Sequence, residues 1–233
     1  MDNRRIRPGA RLDCAIELLG SARVVADVGC DHGRLGCALM QRGSAQKCIA
    51  IDISSPSLEK TTRLARKIGV LDRVETRLGD GLTPLAPGEA DAIAILGMGG
   101  TQMTRILDGM PPLNGARVCV FQPMRAAEDI RRWLYERSYP ILEDRVVFES
   151  GRYYQVFSAG QPQKRKQPLP DGWPEDLFFL GYTAFERREP QMKPLVERMI
   201  ETARRKQKTQ RAEALDHQLA QLLQIRECWE GKP

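Results

Sequence analysis

A chain of 233 residues, 42% hydrophobic and 28% charged, can bury enough apolar surface to offset chain entropy, which excludes global disorder and suggests one core domain with an appendage. No run approaches the roughly 18 consecutive apolar residues that span a bilayer, no C-x-x-C pair occurs among the six cysteines, and the two histidines, His32 and His217, lie far apart, so a cytoplasmic protein with reduced thiols and no metal is expected. The net charge of +6 is modest for a nucleic-acid binder, and where the charge sits carries more than its sign.

From residue 24 onward, short β-branched runs alternate with amphipathic segments, the pattern of βαβ units around a mostly parallel sheet. The predicted strands cover 24–28, 48–52, 74–78, 92–96 and 118–121, and the predicted helices 34–41, 56–68, 102–107 and 126–136. Two further strands, 145–149 and 153–158, flank Ser150-Gly151 and read as a hairpin. Pro162, Pro168, Pro170 and Pro174 with Lys164, Arg165 and Lys166 make 161–174 a linker. Beyond it, Met192, Leu195, Val196, Met199 and Ala203, then Leu215, Leu219, Leu222 and Leu223, keep helical spacing on either side of the polar run 204–211. Two helices folded back as a hairpin bury both stripes; one continuous helix would need an external partner. The hairpin is the preferred reading, giving a domain at 1–160, the linker at 161–174 and a small, basic, helical domain at 175–233.

The chemistry-bearing residues fall at the ends of the predicted strands. Asp27, Gly29, Cys30, Asp31, His32 and Gly33 form a strand-to-helix turn in which glycine allows close backbone approach and Asp27 can hold polar groups. Many α/β proteins have such a turn. Here the dinucleotide fingerprint G-x-G-x-x-G is missing, because Asp31 stands at its second glycine, where a carboxylate repels a pyrophosphate. The ammonium and sulfonium of S-adenosylmethionine suit acidic groups instead. Asp52, followed by Ile53, ends the second strand where a carboxylate accepts ribose hydroxyls; the competing reading, a helix N-cap, is better filled by Ser54 or Ser55. Asp80, between Gly79 and Gly81, can accept from the exocyclic amine of adenine, or the segment is a plain turn; its place in the strand series favours the first. Gly97-Met98-Gly99-Gly100 follows the fourth strand and points to close approach of backbone to ligand. Gln122 follows the fifth, either to hydrogen-bond a base or to cap the strand. A closing hairpin after five parallel strands separates, by fold analogy, the methyltransferase version of this architecture from the dinucleotide-binding one. The expected fold class is therefore α/β, a Rossmann-like class I methyltransferase fold with a mostly parallel seven-stranded sheet.

With these motifs the chain resembles the bacterial tRNA adenine-22 N1-methyltransferases. Arg11-Leu12, Ala26-Asp27-Val28-Gly29-Cys30-Asp31-His32, Gly79-Asp80-Gly81-Leu82, Gly97-Met98-Gly99-Gly100, Gln122-Pro123, Arg131-Arg132-Trp133-Leu134 and Tyr153-Tyr154 carry the resemblance, over roughly residues 6–158; the chain departs from the family pattern at Cys30 and over 33–36. The resemblance implies S-adenosylmethionine as donor, S-adenosylhomocysteine as product, tRNA as substrate and a coiled-coil-like C-terminal domain that helps hold it. N1 lies on the Watson–Crick edge, so the target base must be unpaired or extruded. The cofactor residues are then Asp27, Gly29, Cys30, Asp31, Asp52, Ile53, Asp80, Gly81, Gly97, Met98 and Gly99. Asp31 is the candidate to stabilise developing charge or take a proton, with His32, Gln122 and Tyr154 orienting the base; for His32 a loop-stabilising hydrogen bond is an equal alternative. Arg7, Arg11, Arg204, Arg205, Lys206, Lys208 and Arg211 are the candidate RNA contacts, and the expected state is a monomer or weak homodimer. The rivals are a small-molecule methyltransferase with a helical dimerisation tail and a non-catalytic tRNA-binding protein of the same fold.

Overall fold

The computed structural model describes residues 6–209 and 212–231. Seven strands, β1 (Ala22–Val28), β2 (Ala45–Asp52), β3 (Val74–Leu78), β4 (Ala92–Gly99), β5 (Val118–Arg125), β6 (Ile141–Glu149) and β7 (Arg152–Gly160), form one sheet. Their order is β3-β2-β1-β4-β5-β7-β6, with every pair parallel except the two made by β7. Each predicted strand is present. Most run further than the apolar pattern indicates, because ladder pairing extends through polar residues such as Lys47, opposite Val24. The central strands are apolar on both faces because both faces are covered. Along β4, Ile93 and Ile95 enter one core layer with Met103, Leu107, Ile130 and Leu134, while Ala92 and Ala94 enter the other with Leu19, Leu35, Leu39 and Leu58.

The second layer is roofed by α1 (Ala10–Leu19), α2 (Arg34–Arg42) and α3 (Ser55–Ile68), the first by α4 (Gly100–Leu107) and α5 (Ala127–Glu136). Ser54 caps α3, its side chain accepting from the Ser57 amide at 3.4 Å, which leaves the preceding Asp52 for other work. Residues 161–174 carry no regular helix or strand, as the prolines require.

After them come α6 (Tyr182–Glu186), α7 (Met192–Gln207) and α8 (Glu213–Gly231). The last two form the expected antiparallel hairpin: Lys193 Nζ meets Glu230 Oε1 at 3.4 Å near one end and Gln207 donates to Asp216 at 2.5 Å near the other. Rather than only sealing against each other, Leu195, Val196, Ile200, Leu222 and Ile225 join one buried cluster with Trp173, Leu177, Tyr182 and the sheet residues Ile93 and Phe121. A buried ion pair fastens this region. Arg131 on α5, with a fully buried side chain, donates to Asp144 on β6 at 2.8 and 3.2 Å and to the Phe178 carbonyl at 3.3 Å, over the Phe157 ring at 4.3 Å. Thr183 completes it, its hydroxyl donating to Asp144 Oδ2 at 3.0 Å. Among the described residues, no helix is long and apolar enough to cross a membrane.

Candidate active site

β1 is flanked by β2 on one side and β4 on the other, so the chain leaves it in opposite directions and opens a crevice at the carboxyl ends of the strands. A cleft of about 810 Å³ occupies that crevice. Asp27, Gly29, Cys30, Asp31, Asp52, Ile53, Asp80, Gly81, Gly97 and Met98 all line it, as does His32. Gly99 does not; it caps α4 beside the Arg125 side chain. Gly100 also has a packing reason for its residue type, since a Cβ there would stand 1.8 Å from the Ala126 carbonyl oxygen.

Asp27 is 4% exposed and its Oδ2 has no hydrogen-bond partner. Burial pushes this carboxyl up to about 7, helped by the nearby Asp52 charge and opposed by the Gly36 amide. A buried oxygen left without a partner costs free energy; this one lies beside Gly36 on α2, while the residue itself lines the cleft. Asp52 accepts from the Asp31 amide at 3.0 Å and the Ser54 amide at 2.9 Å, so it holds the glycine loop in shape while facing the cleft. Gly29, at φ +71°, lies directly beneath Met98, whose terminal methyl would be 2.1 Å from a Cβ on the glycine. Cys30 is no nucleophile: burial pushes its thiol up to about 12.

Asp31 adopts φ +49° and its side chain is 74% exposed, presented to the cleft rather than spent on the fold. His32 Nε2 lies 3.0 Å from Lys60 Nζ and 3.5 Å from Asp31 Oδ1. The two contacts make opposite demands, because an ammonium can only donate whereas a carboxylate can only accept. Both contacts tie His32 to α3 and to the loop, while the residue also lines the cleft.

Gln122 and Tyr154 do not line the cleft. Gln122 is fully buried and accepts from Arg11 Nη1 at 2.8 Å, while the Arg11 guanidinium sits 5.1 Å from the Tyr154 ring centre and 3.9 Å from Glu149 Oε2. Arg11 and Glu149 do line it. Thus Arg11, read from sequence as an RNA contact, is the link between the cleft and two residues read as base-orienting. Sequence reasoning missed Glu149, Ser150, Gln102 and Ile106, all on the cleft wall; the turn at 150–151 signalled only a hairpin. Arg7 lies at the cleft as well. Arg204, Arg205, Lys206 and Lys208 are exposed at the end of α7, away from it, and Arg211 lies outside the described residues.

The family model described as "Methyltransferase domain" matches residues 9–157. A Bacillus subtilis tRNA (adenine(22)-N(1))-methyltransferase is 35% identical over 150 residues, which are 64% of this chain and 63% of that protein. The alignment therefore spans less than two thirds of that relative. A solved Listeria monocytogenes structure of an uncharacterized protein superposes with a TM-score of 0.83 at 22% identity, covering 93% of this chain and 98% of the other. A Streptococcus pneumoniae structure, described as a putative tRNA (m1A22) methyltransferase in complex with S-adenosyl-L-methionine, gives 0.77 at 21% identity over 94% and 98%. At these identities the two structures speak for the shared fold.

Proposed function

The chain belongs to the methyltransferase-domain family, and from that premise we propose that it is an S-adenosylmethionine-dependent methyltransferase acting on N1 of adenine 22 in tRNA. The observation that carries the donor is the acidic lining of the cleft, where Asp27, Asp31 and Asp52 come together. The substrate is supported by the 35% identity to the Bacillus subtilis tRNA enzyme and by the acceptor side of the cleft, where Arg11 and Glu149 meet.

The residues present fit the donor. Asp27 would take its ammonium, Asp52 its ribose hydroxyls and Asp80 the exocyclic amine of its adenine, with Ile53 and Met98 supplying apolar surface. When bound, S-adenosylmethionine supplies an electrophilic methyl group on a cationic sulfur. The protein's own work is positioning, which can lower a barrier by roughly 7–11 kcal/mol for well-oriented groups. Asp31 lines the cleft with an exposed carboxylate, which would stabilise the charge that develops when N1 of the target base is methylated, or would accept an N6 proton. Arg11 holds Gln122 and Tyr154 in fixed orientation.

Incubating the protein with labelled S-adenosylmethionine and unmodified tRNA, then mapping the labelled base, tests the assignment. N1-methyladenine at position 22 is expected. Label in small molecules only, or at another position, would overturn it. Truncation after residue 160 is a poor substitute, because the buried cluster continues from the sheet into α7 and α8.

A further inference from the structure

A second groove lies on the far side of the β6–β7 hairpin. Its volume is about 480 Å³, and it runs between Arg152 and Tyr153 on the hairpin and Arg198, Met199 and Lys206 on α7. Its lining holds three cations and no carboxylate. Arg152 and Lys206 have no ion-pair partner among the described residues. Arg198 donates one hydrogen bond to the Gly151 carbonyl at 2.9 Å and lies 5.7 Å from the Tyr153 ring centre. Beside the groove, Phe148 is 49% exposed and its ring is 4.8 Å from that of Tyr153. An aromatic surface left in water beside unpaired cations suits a ligand that is planar, apolar on its faces and anionic along its edge.

The hairpin joins this groove to the cleft. Phe148 pairs with Tyr153 and Val147 with Tyr154 across the ladder, so successive pairs point to opposite faces. Tyr154 looks towards Arg11 and the cleft side, Tyr153 towards α7. Ser150, on the cleft wall, and Tyr153, on the groove wall, are three residues apart, at most about 10 Å of chain.

We propose that the groove binds an unpaired nucleotide of the RNA next to the target base, with its base against Phe148 and Tyr153 and its phosphates met by Arg152, Arg198 and Lys206. This rests on the tRNA reading above and adds the place where the strand leaves the cleft. The hairpin thereby acts as a divider, with the target base on one side and its neighbour on the other.

The test uses the full chain with Phe148→Ala and with the double change Arg152→Glu, Lys206→Glu. Affinity for unmodified tRNA is read by fluorescence anisotropy over a range of salt, and S-adenosylmethionine binding by calorimetry serves as the control for folding. Phe148→Ala is expected to weaken tRNA binding about tenfold with donor affinity unchanged. The double variant should also flatten the slope of log affinity against log salt by about 1.4, for two lost phosphate contacts to a single strand. Photo-crosslinks from RNA to the peptide 148–153 are expected in the wild type. If the wild type methylates tRNA while both variants match its affinity and slope, the groove is not an RNA site. If the wild type neither binds nor methylates tRNA, the substrate reading falls, and this proposal with it.

Discussion

The half of the cleft proposed to take the methyl donor and the half proposed to take the acceptor differ in how far apart in the chain their parts lie. On the donor side, neighbouring loops are tied by backbone: the Gly29 and Cys30 amides donate to the Ile51 carbonyl at 2.8 and 3.1 Å, and the Gly79 amide to the Asp52 carbonyl at 3.1 Å. Each loop simply continues its strand, so parallel pairing places the carboxylates. The acceptor side is assembled by one side chain, Arg11, reaching Gln122, 111 positions away, together with Glu149 and Tyr154. Its geometry therefore depends on α1, β5 and the β6–β7 hairpin all being docked. A donor site built on adjacent strand ends should tolerate damage elsewhere, and an acceptor site built across the fold should not.

The hardest break is at the buried ion pair. Arg131→Ala leaves Asp144 uncompensated at 2% side-chain exposure and should cost about 3–5 kcal/mol of stability, read by denaturant unfolding. Replacing both partners with apolar residues of similar volume should recover most of that loss; a single variant as stable as wild type would show that the pair does not fasten β6.

Next comes Asp27→Asn, which should weaken donor binding about a hundredfold by calorimetry while leaving the fold intact. Asp27 also sets a pH dependence. Burial holds its carboxyl up at about 7 in the folded protein, above the ordinary aspartate value of about 4, so the native state binds more protons than the unfolded one between about pH 4 and 7. The contribution of Asp27 to stability thus falls as pH rises through that window. A cationic donor favours the ionised form, so donor affinity should rise from pH 6 to pH 8 with release of a proton, and Asp27→Asn should abolish that rise. An unchanged pH profile in the variant would remove Asp27 from the donor site.

Arg11→Lys keeps the charge but loses the planar fork that holds Gln122 while lying over Tyr154. A fall in kcat of about tenfold, with donor affinity within twofold of wild type, is expected from single-turnover and calorimetric measurements. Equal losses in both would mean that the two halves are not separable. The smallest effect belongs to Arg204→Ala with Arg205→Ala. These exposed cations should contribute only a few-fold to tRNA affinity, and that loss should shrink as salt rises.

The contrast between the halves also explains what could be read from the chain beforehand. Asp27, Asp31, Asp52 and Asp80 were legible because each sits at a strand end, where local spacing and the parallel register suffice. Gly99 and Gly100 looked like part of the same edge, yet one caps α4 and the other packs on the Ala126 carbonyl. Spacing cannot distinguish a glycine that meets a ligand from one that meets backbone. Arg11 was visible only as a basic residue, because nothing nearby in sequence indicates that Gln122 and Glu149 come to it. The two C-terminal helical stripes were legible in period, but not in which surface they cover.

The sequence by itself determined the sheet, the place of its acidic, glycine-bearing edge and the two C-terminal helical stripes, though not whether they fold back as a hairpin, since strand alternation, helical period and turn residues are local properties of the chain. Tertiary structure decided that Arg11 faces inward, that Arg131 and Asp144 are buried together and that α7 and α8 share the main core. Those outcomes depend on which distant groups are excluded from water together, a property of the packed molecule rather than of any segment.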